Sequence, residues 1–255
     1  MRTLMQQGFG FSWVLPEGAE LIKKSLAPSC LFIDSEQFAQ TNAKHRFEKR
    51  GIAAFVSVAA PLSVLAHERG WAVAVEAAKS DPAVLGGQRA ERVVQAVANA
   101  CDQGADAIVI CDELFMPGAQ IDPFFALEHL MPCYQELVQA ATTAGIPAVF
   151  HTQGDARGLY PALAGVGFAG VHVAHPQPDR VRELFSAARE SKLVPIGGIV
   201  GEGIMERPLD EAVALAVELA QGGPAIICDD GTLEGEDQMA RAAQVLTEAR
   251  RRCHG

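Results

Sequence analysis

The sequence predicts an α/β fold of the TIM (β/α)8-barrel type, in a single domain with a shortened or irregular N-terminal part. Three observations lead there. Short apolar runs alternate with amphipathic stretches along most of the chain, the rhythm of parallel strands joined by crossover helices. Runs such as Ala105–Cys111 (ADAIVIC) are apolar almost throughout, as strands buried on both faces must be. The length of 255 residues matches the roughly 250 that such a barrel needs as one unit. An open doubly wound sheet is the rival, but no G-x-G-x-x-G follows the first strand to mark it.

Taken in order, Phe9–Leu15 (FGFSWVL) reads as a first strand and Glu17–Ser25 as a short helix stopped by Pro28. Cys30–Asp34 is a second strand ending in an acid, and the polar stretch Ser35–Lys49 is helical in bias. Ile52–Val58 is a third strand, Pro61–Arg69 a helical turn, and Pro82–Gln103 a long amphipathic helix. Asp122-Pro123 starts a helix running to about Thr143, with proline at the tolerated first position and Gly145 ending it. Strands at Pro147–Phe150, Gly170–His175, Val194–Ile199 and Ala225–Cys228 follow, separated by helices near Leu159–Gly165, Asp179–Ser191 and Leu209–Gln221. A last helix spans Gly235–Arg252, and no Gly-, Ser- or Pro-rich linker divides the chain.

Composition narrows the function. The apolar fraction of 49% and charged fraction of 20% describe a globular protein with a sizeable core. A net charge of −10 argues against a nucleic-acid or anionic-membrane surface. None of the six cysteines is in C-x-x-C spacing, and several sit in apolar runs, where a free thiol behaves as a small hydrophobe. A reducing cytoplasm is the expected compartment. The N-terminus has no long apolar core, so no signal peptide is expected.

Function gathers at the carboxyl ends of the strands, where ligands sit in parallel-sheet proteins. The residues there are Asp34, Asp112 with Glu113, His151 with Gln153 and Asp155, His172 with His175, Gly197-Gly198, and Cys228 with Asp229 and Asp230. Around one mouth, these acids crowd each other and become proton carriers; alternatively each caps the next helix. His151 leads the histidines because it stands at a strand terminus beside Gln153 and Asp155, with His175 next. His172, flanked by Val171 and Val173, reads as a satisfied buried histidine. His151 and Cys228 suit zinc, with Glu113 or Asp230 to complete a set, although no dedicated ligand spacing is present. Phe115, Met116 and Pro117 form an apolar lip, either a ligand wall or a loop plug.

Segments 59–67 (AAPLSVLAH), 104–113 (GADAIVICDE), 145–155 (GIPAVFHTQGD), 166–178 (VGFAGVHVAHPQP), 195–199 (PIGGI) and 222–231 (GGPAIICDDG) occur in an order and spacing that resemble a known family. From 52 to 246 the chain resembles the uroporphyrinogen decarboxylase superfamily, which includes corrinoid-dependent methyltransferases. The resemblance implies a barrel enzyme acting on or docking with a tetrapyrrole. It departs from the decarboxylases: their N-terminal R-Q-A-G-R is absent from residues 1–50, their catalytic tyrosine falls on His67, and their last-loop histidine falls on Asp230. It departs from the zinc methyltransferases too. Of their H-x-C plus later cysteine, His151 and Cys228 remain, and Gln153 replaces the middle thiolate.

The expectation is methyl transfer between a corrinoid (cobalamin) protein and a small acceptor. His151, Asp112, Glu113 and Asp230 are its catalytic candidates; His67, Gln153, Asp155, His175, Gly198 and Asp229 are its substrate-binding candidates. Zinc on His151 and Cys228, a corrinoid carried by a partner protein, and a homodimer are the associated expectations. Decarboxylation of a uroporphyrinogen-like or other carboxylate substrate is the alternative, and a barrel that only binds a ligand is a second.

Overall fold

The computed structural model describes residues 12–14, 29–40, 52–115 and 121–254. Eight strands are present among them: β1 (Ser12–Val14), β2 (Ser29–Asp34), β3 (Ile52–Ala59), β4 (Ala107–Cys111), β5 (Ala148–Gln153), β6 (Gly170–Ala174), β7 (Val194–Ile199) and β8 (Ile226–Asp229). They form one sheet in the order β1-β8-β7-β6-β5-β4-β3-β2. From β2 to β8 every neighbouring pair is parallel. β1 alone runs the other way, with Ser12 opposite Cys228 and Val14 opposite Ile226.

The sheet is rolled. In a flat sheet β2 and β6 would stand four strand spacings apart, about 19 Å. Instead the Phe32 ring on β2 and the His172 ring on β6 lie 5.1 Å apart, centroid to centroid. The inner face is filled by alternate strand residues, among them Phe32, Phe55, Val109, Val149, Ile196 and Cys228. The intervening residues, such as Ile110, Phe150, Val171 and Ile227, pack outward against the helices, as the two-residue period of a strand requires. Both faces are therefore apolar.

The expected closed ring of eight parallel strands is corrected in one respect. β1 is three residues long, is reversed, and is taken up by β8. Among the described residues it makes no ladder with β2, so the architecture is a curled sheet with a seam. The expected helix at 17–25 and the second half of 35–49 lie outside the described residues.

Elsewhere the expected elements appear with shifted bounds. The stretch expected as one helix over 82–103 is divided into a 3-10 turn, Pro82–Leu85, and a helix, Gln88–Asp102. Gly87 between them has φ 60°, a left-handed conformation that glycine adopts at least cost. A helix at Trp71–Ser80 was not foreseen. Asp122 caps its helix by accepting from the Phe124 N–H at 2.9 Å, and a π segment, Ala126–Leu130, precedes the regular helix Met131–Thr143. That helix stops at Gly145, φ 74°, where the Gly145 and Ile146 N–H groups bond back to Thr142 and Ala141, a left-handed C-terminal stop.

Candidate active site

Strand parity decides which polar side chains meet. On β5, Val149 belongs to the inner cluster and Phe150 to the outer one, so His151 returns to the inner face. β5 continues through Gln153, which makes His151 a strand residue and not the first residue of a loop. On β6, His172 lies between the outward Val171 and Val173 and sits directly beside His151 in the ladder. On β4, Cys111 is inner and Ile110 outer. Just beyond the strand, Asp112 therefore turns out to the helices and Glu113 turns in.

His151, His172 and Glu113 form one buried cluster, each 2% exposed or less. The His151 and His172 Nδ1 atoms are 2.8 Å apart, and His172 Nε2 is 2.9 Å from the Asp229 carbonyl oxygen. A carbonyl only accepts, so His172 carries its proton on Nε2. Its Nδ1 must then accept, and His151 must donate from Nδ1. That leaves His151 Nε2 facing Glu113 Oε1 at 3.7 Å, longer than a hydrogen bond. Glu113 Oε2 accepts from the Gln153 N–H at 3.3 Å, while Oε1 is buried with no partner.

Electrostatics follow the same geometry. Burial, then the neighbouring His151, hold the His172 pKa down at about 3, so this ring stays neutral. Burial pushes the Glu113 carboxyl up, but a proton on His151 Nε2, with the Gln153 N–H, more than offsets it and leaves the carboxyl below its usual value. The pair thus has two states: with His151 neutral, Nε2 presents a lone pair beside Glu113, and with Nε2 protonated the imidazolium faces the Glu113 carboxylate, while the second ring fixes the tautomer. Such a set can take a proton from a bound group and return it.

The other site candidates are distributed differently. Asp112 is fully buried in the helix layer, accepting from Ser63 Oγ at 2.6 Å and Tyr134 Oη at 2.7 Å. Burial raises its pKa to about 7. Asp230 Oδ1 accepts from the Gly201 and Thr232 N–H groups and from Thr232 Oγ1 at 2.6 Å, tying the loop after β7 to the loop after β8. Asp229 sends its carbonyl to His172 and its carboxylate to the Gly231 N–H, with burial and the Asp230 charge raising it to about 6. His151, Asp112 and Asp230 therefore point into three separate surroundings.

Asp155 lies on the rim, held low by Arg157, which also pairs with Glu183 at 2.7 Å. His175 is half-buried and accepts from the Gln177 N–H. His67 is exposed on the last turn of the helix Pro61–Arg69. A Cβ on Gly198 would stand 2.8 Å from Leu219 Cδ1, so this glycine serves helix packing. Cys228 is buried on the inner face. Met116 and Pro117 of the expected lip lie outside the described residues.

Among the described residues no group of three His, Cys, Asp or Glu side chains is arranged to hold a metal ion. His151 Nδ1 is committed to His172, and Glu113 Oε1 lies 3.7 Å from its Nε2. These residues do not fit the expected zinc. His172 is the residue sequence reasoning undervalued; its V-H-V context showed a buried ring but not the partner across the ladder.

No family model and no curated protein matches the chain. Among solved structures, a methyltransferase from Methanosarcina mazei matches with a TM-score of 0.64 at 17% identity, over 83% of this chain and 63% of that one. The likeness is one of fold. This chain thus spans less than two thirds of that methyltransferase. A GH18 chitinase from Pseudoalteromonas aurantia matches with a TM-score of 0.53 at 13% identity, over 92% of this chain and 95% of that one. The 3-keto-D-glucoside 4-epimerase YcjR from E. coli gives 0.50 at 12%, covering 97% of each chain. All are consistent with a curled α/β sheet of the TIM-barrel kind. Among the described residues no helix is long and apolar enough to cross a membrane.

Proposed function

We propose that this chain is a uroporphyrinogen decarboxylase-like barrel enzyme that transfers a methyl group from a corrinoid protein to a small acceptor, with His151 and Glu113 as its catalytic residues. One observation carries the reading: a buried carboxylate oxygen without a partner faces a ring nitrogen whose tautomer is fixed, at the carboxyl ends of adjacent strands. That is where barrel enzymes carry out their chemistry. Likeness in fold to the Methanosarcina methyltransferase supports methyl transfer over other barrel reactions.

In this reading His151 Nε2 removes the acceptor's proton, which makes the acceptor nucleophilic. Glu113 stabilises the imidazolium that results, and His172 holds the ring. The methylated corrinoid is a substrate delivered by its carrier protein, and the step draws on His151, Glu113 and His172. Decarboxylation is the weaker reading, because Asp112 and Asp230 are committed to Tyr134, Ser63, Gly201 and Thr232.

The test uses methylcobalamin as a free donor with a panel of small thiols and amines, following loss of the methyl–cobalt absorbance. Acceptor-dependent demethylation is expected, falling about a hundredfold or more in His151→Ala and Glu113→Gln, the scale of general acid–base catalysis. No acceptor-dependent loss, together with conversion of uroporphyrinogen in parallel incubations, would replace this reading with the decarboxylase one. Neither activity would leave a ligand-binding barrel.

A further inference from the structure

The tautomers of the two rings constrain what can occupy the cluster. With His151 donating from Nδ1 to His172, its Nε2 offers a lone pair. Glu113 Oε1, buried and unpartnered, offers another. Two acceptors 3.7 Å apart cannot satisfy each other, but one atom seated about 2.8 Å from both could donate a hydrogen to each. An alcohol or thiol has a single hydrogen to give. A protonated amine has two or three, and it carries the positive charge that a buried carboxylate lacks.

The surroundings favour a cation. Among the described residues no lysine or arginine acts on the Glu113 carboxyl; burial, His151 and Gln153 do. The chain's net charge of −10 draws cations toward it.

We propose that the gap between Glu113 and His151 binds the ammonium group of a small aliphatic amine, which makes an amine the small acceptor. This rests on the reading of the cluster as the reacting site. Once bound, R–NH3+ gives one proton to His151 Nε2. The products are R–NH2 with its lone pair free and an imidazolium held against the Glu113 carboxylate, so protons and charge balance without another reactant.

The test measures binding without turnover. Methylammonium, methanol (no charge, one donor hydrogen) and potassium (charge, no donor hydrogen) are titrated into the full chain. Heat of binding and the 15N shifts of labelled histidine side chains are followed. Saturable binding is expected for methylammonium alone, with a shift at His151 Nε2 and a loss of at least tenfold in affinity in Glu113→Gln. Should that variant fail to fold, Glu113→Asp, whose carboxylate is one methylene further back, carries the same expectation. Methylammonium binding no better than potassium or methanol, or equally well to the Glu113 variant, overturns the proposal. The two ideas fail separately: methyl transfer to thiols with no amine binding removes only this inference, and amine binding without methyl transfer removes only the reaction.

Discussion

At the scale of single residues, the molecule separates its acids by where they point. Asp112 and Glu113 are neighbours in sequence, yet one is clamped among helices by Ser63 and Tyr134 and the other faces His151. This has a consequence for stability. The Asp112 carboxyl has its pKa raised to about 7 by burial, against about 3.9 in an unfolded chain. A raised carboxyl favours the folded state when protonated, so its contribution is complete below about pH 4 and is lost as pH rises through about 7. His172, lowered to about 3, works in the opposite direction: its contribution is present above about pH 6.5, the unfolded value, and is lost as pH falls. The two are separated by difference. Asp112→Asn keeps the shape, and the Ser63 hydroxyl can turn to accept from the amide. Relative to wild type, the variant should gain on the order of a few kcal/mol between pH 4 and pH 8 in urea unfolding. Parallel stability curves would show that Asp112 is ionised at no cost.

At the scale of elements, the helices Pro178–Glu190 and Leu209–Gln221 are fastened by two cations, Arg182 paired with Glu218 at 2.8 Å and Arg189. The Arg189 guanidinium donates to the Leu219 carbonyl at 2.6 Å and to the Pro224 and Gly223 carbonyls, serving carbonyls at and just past the end of the second helix. Burial lowers the Arg189 pKa. Arg189→Ala should cost about 1–3 kcal/mol in urea unfolding, since hydrogen bonds to charged groups contribute about 1.5–3 kcal/mol and these carbonyls are exposed or part-buried. Arg189→Lys, which cannot span all three carbonyls, should fall between. Gly198 is the matching test on β7. With φ 97° and Leu219 Cδ1 2.8 Å from any Cβ, Gly198→Ala should destabilise by about 1–3 kcal/mol while leaving the histidine pair in place. Lost ligand binding at unchanged stability would instead assign Gly198 to the substrate.

At the scale of the whole molecule, the sequence made the strands legible because apolar runs and turn residues are local signals. The strand expected at Ile52–Val58 is found at Ile52–Ala59, and Val194–Ile199 and Leu209–Gln221 sit where their patterns placed them. The reversed direction of β1 was not legible, since SWV reads the same whichever way it pairs. The site was half legible. His151, Glu113 and Gln153 are named by their place after apolar runs. Their grouping with His172 depends on strand parity, and ADAIVIC conceals parity because both its faces are buried. Only rolling the sheet, which brings Phe32 against His172, shows which alternate residues look inward. The same uncertainty placed Asp112 and Asp230 at the mouth, where the structure gives each a separate set of partners.

The account depends on the curled sheet pressing His151 against His172 in one fixed tautomeric arrangement. Histidine-selective 15N NMR of the full chain measures this directly. His151 should appear as the Nδ1–H form and His172 as the Nε2–H form, with a through-bond coupling between their Nδ1 nitrogens that disappears in His172→Gln. Two rings titrating independently, each as an ordinary mixture of tautomers, would contradict the arrangement and the catalytic role built on it.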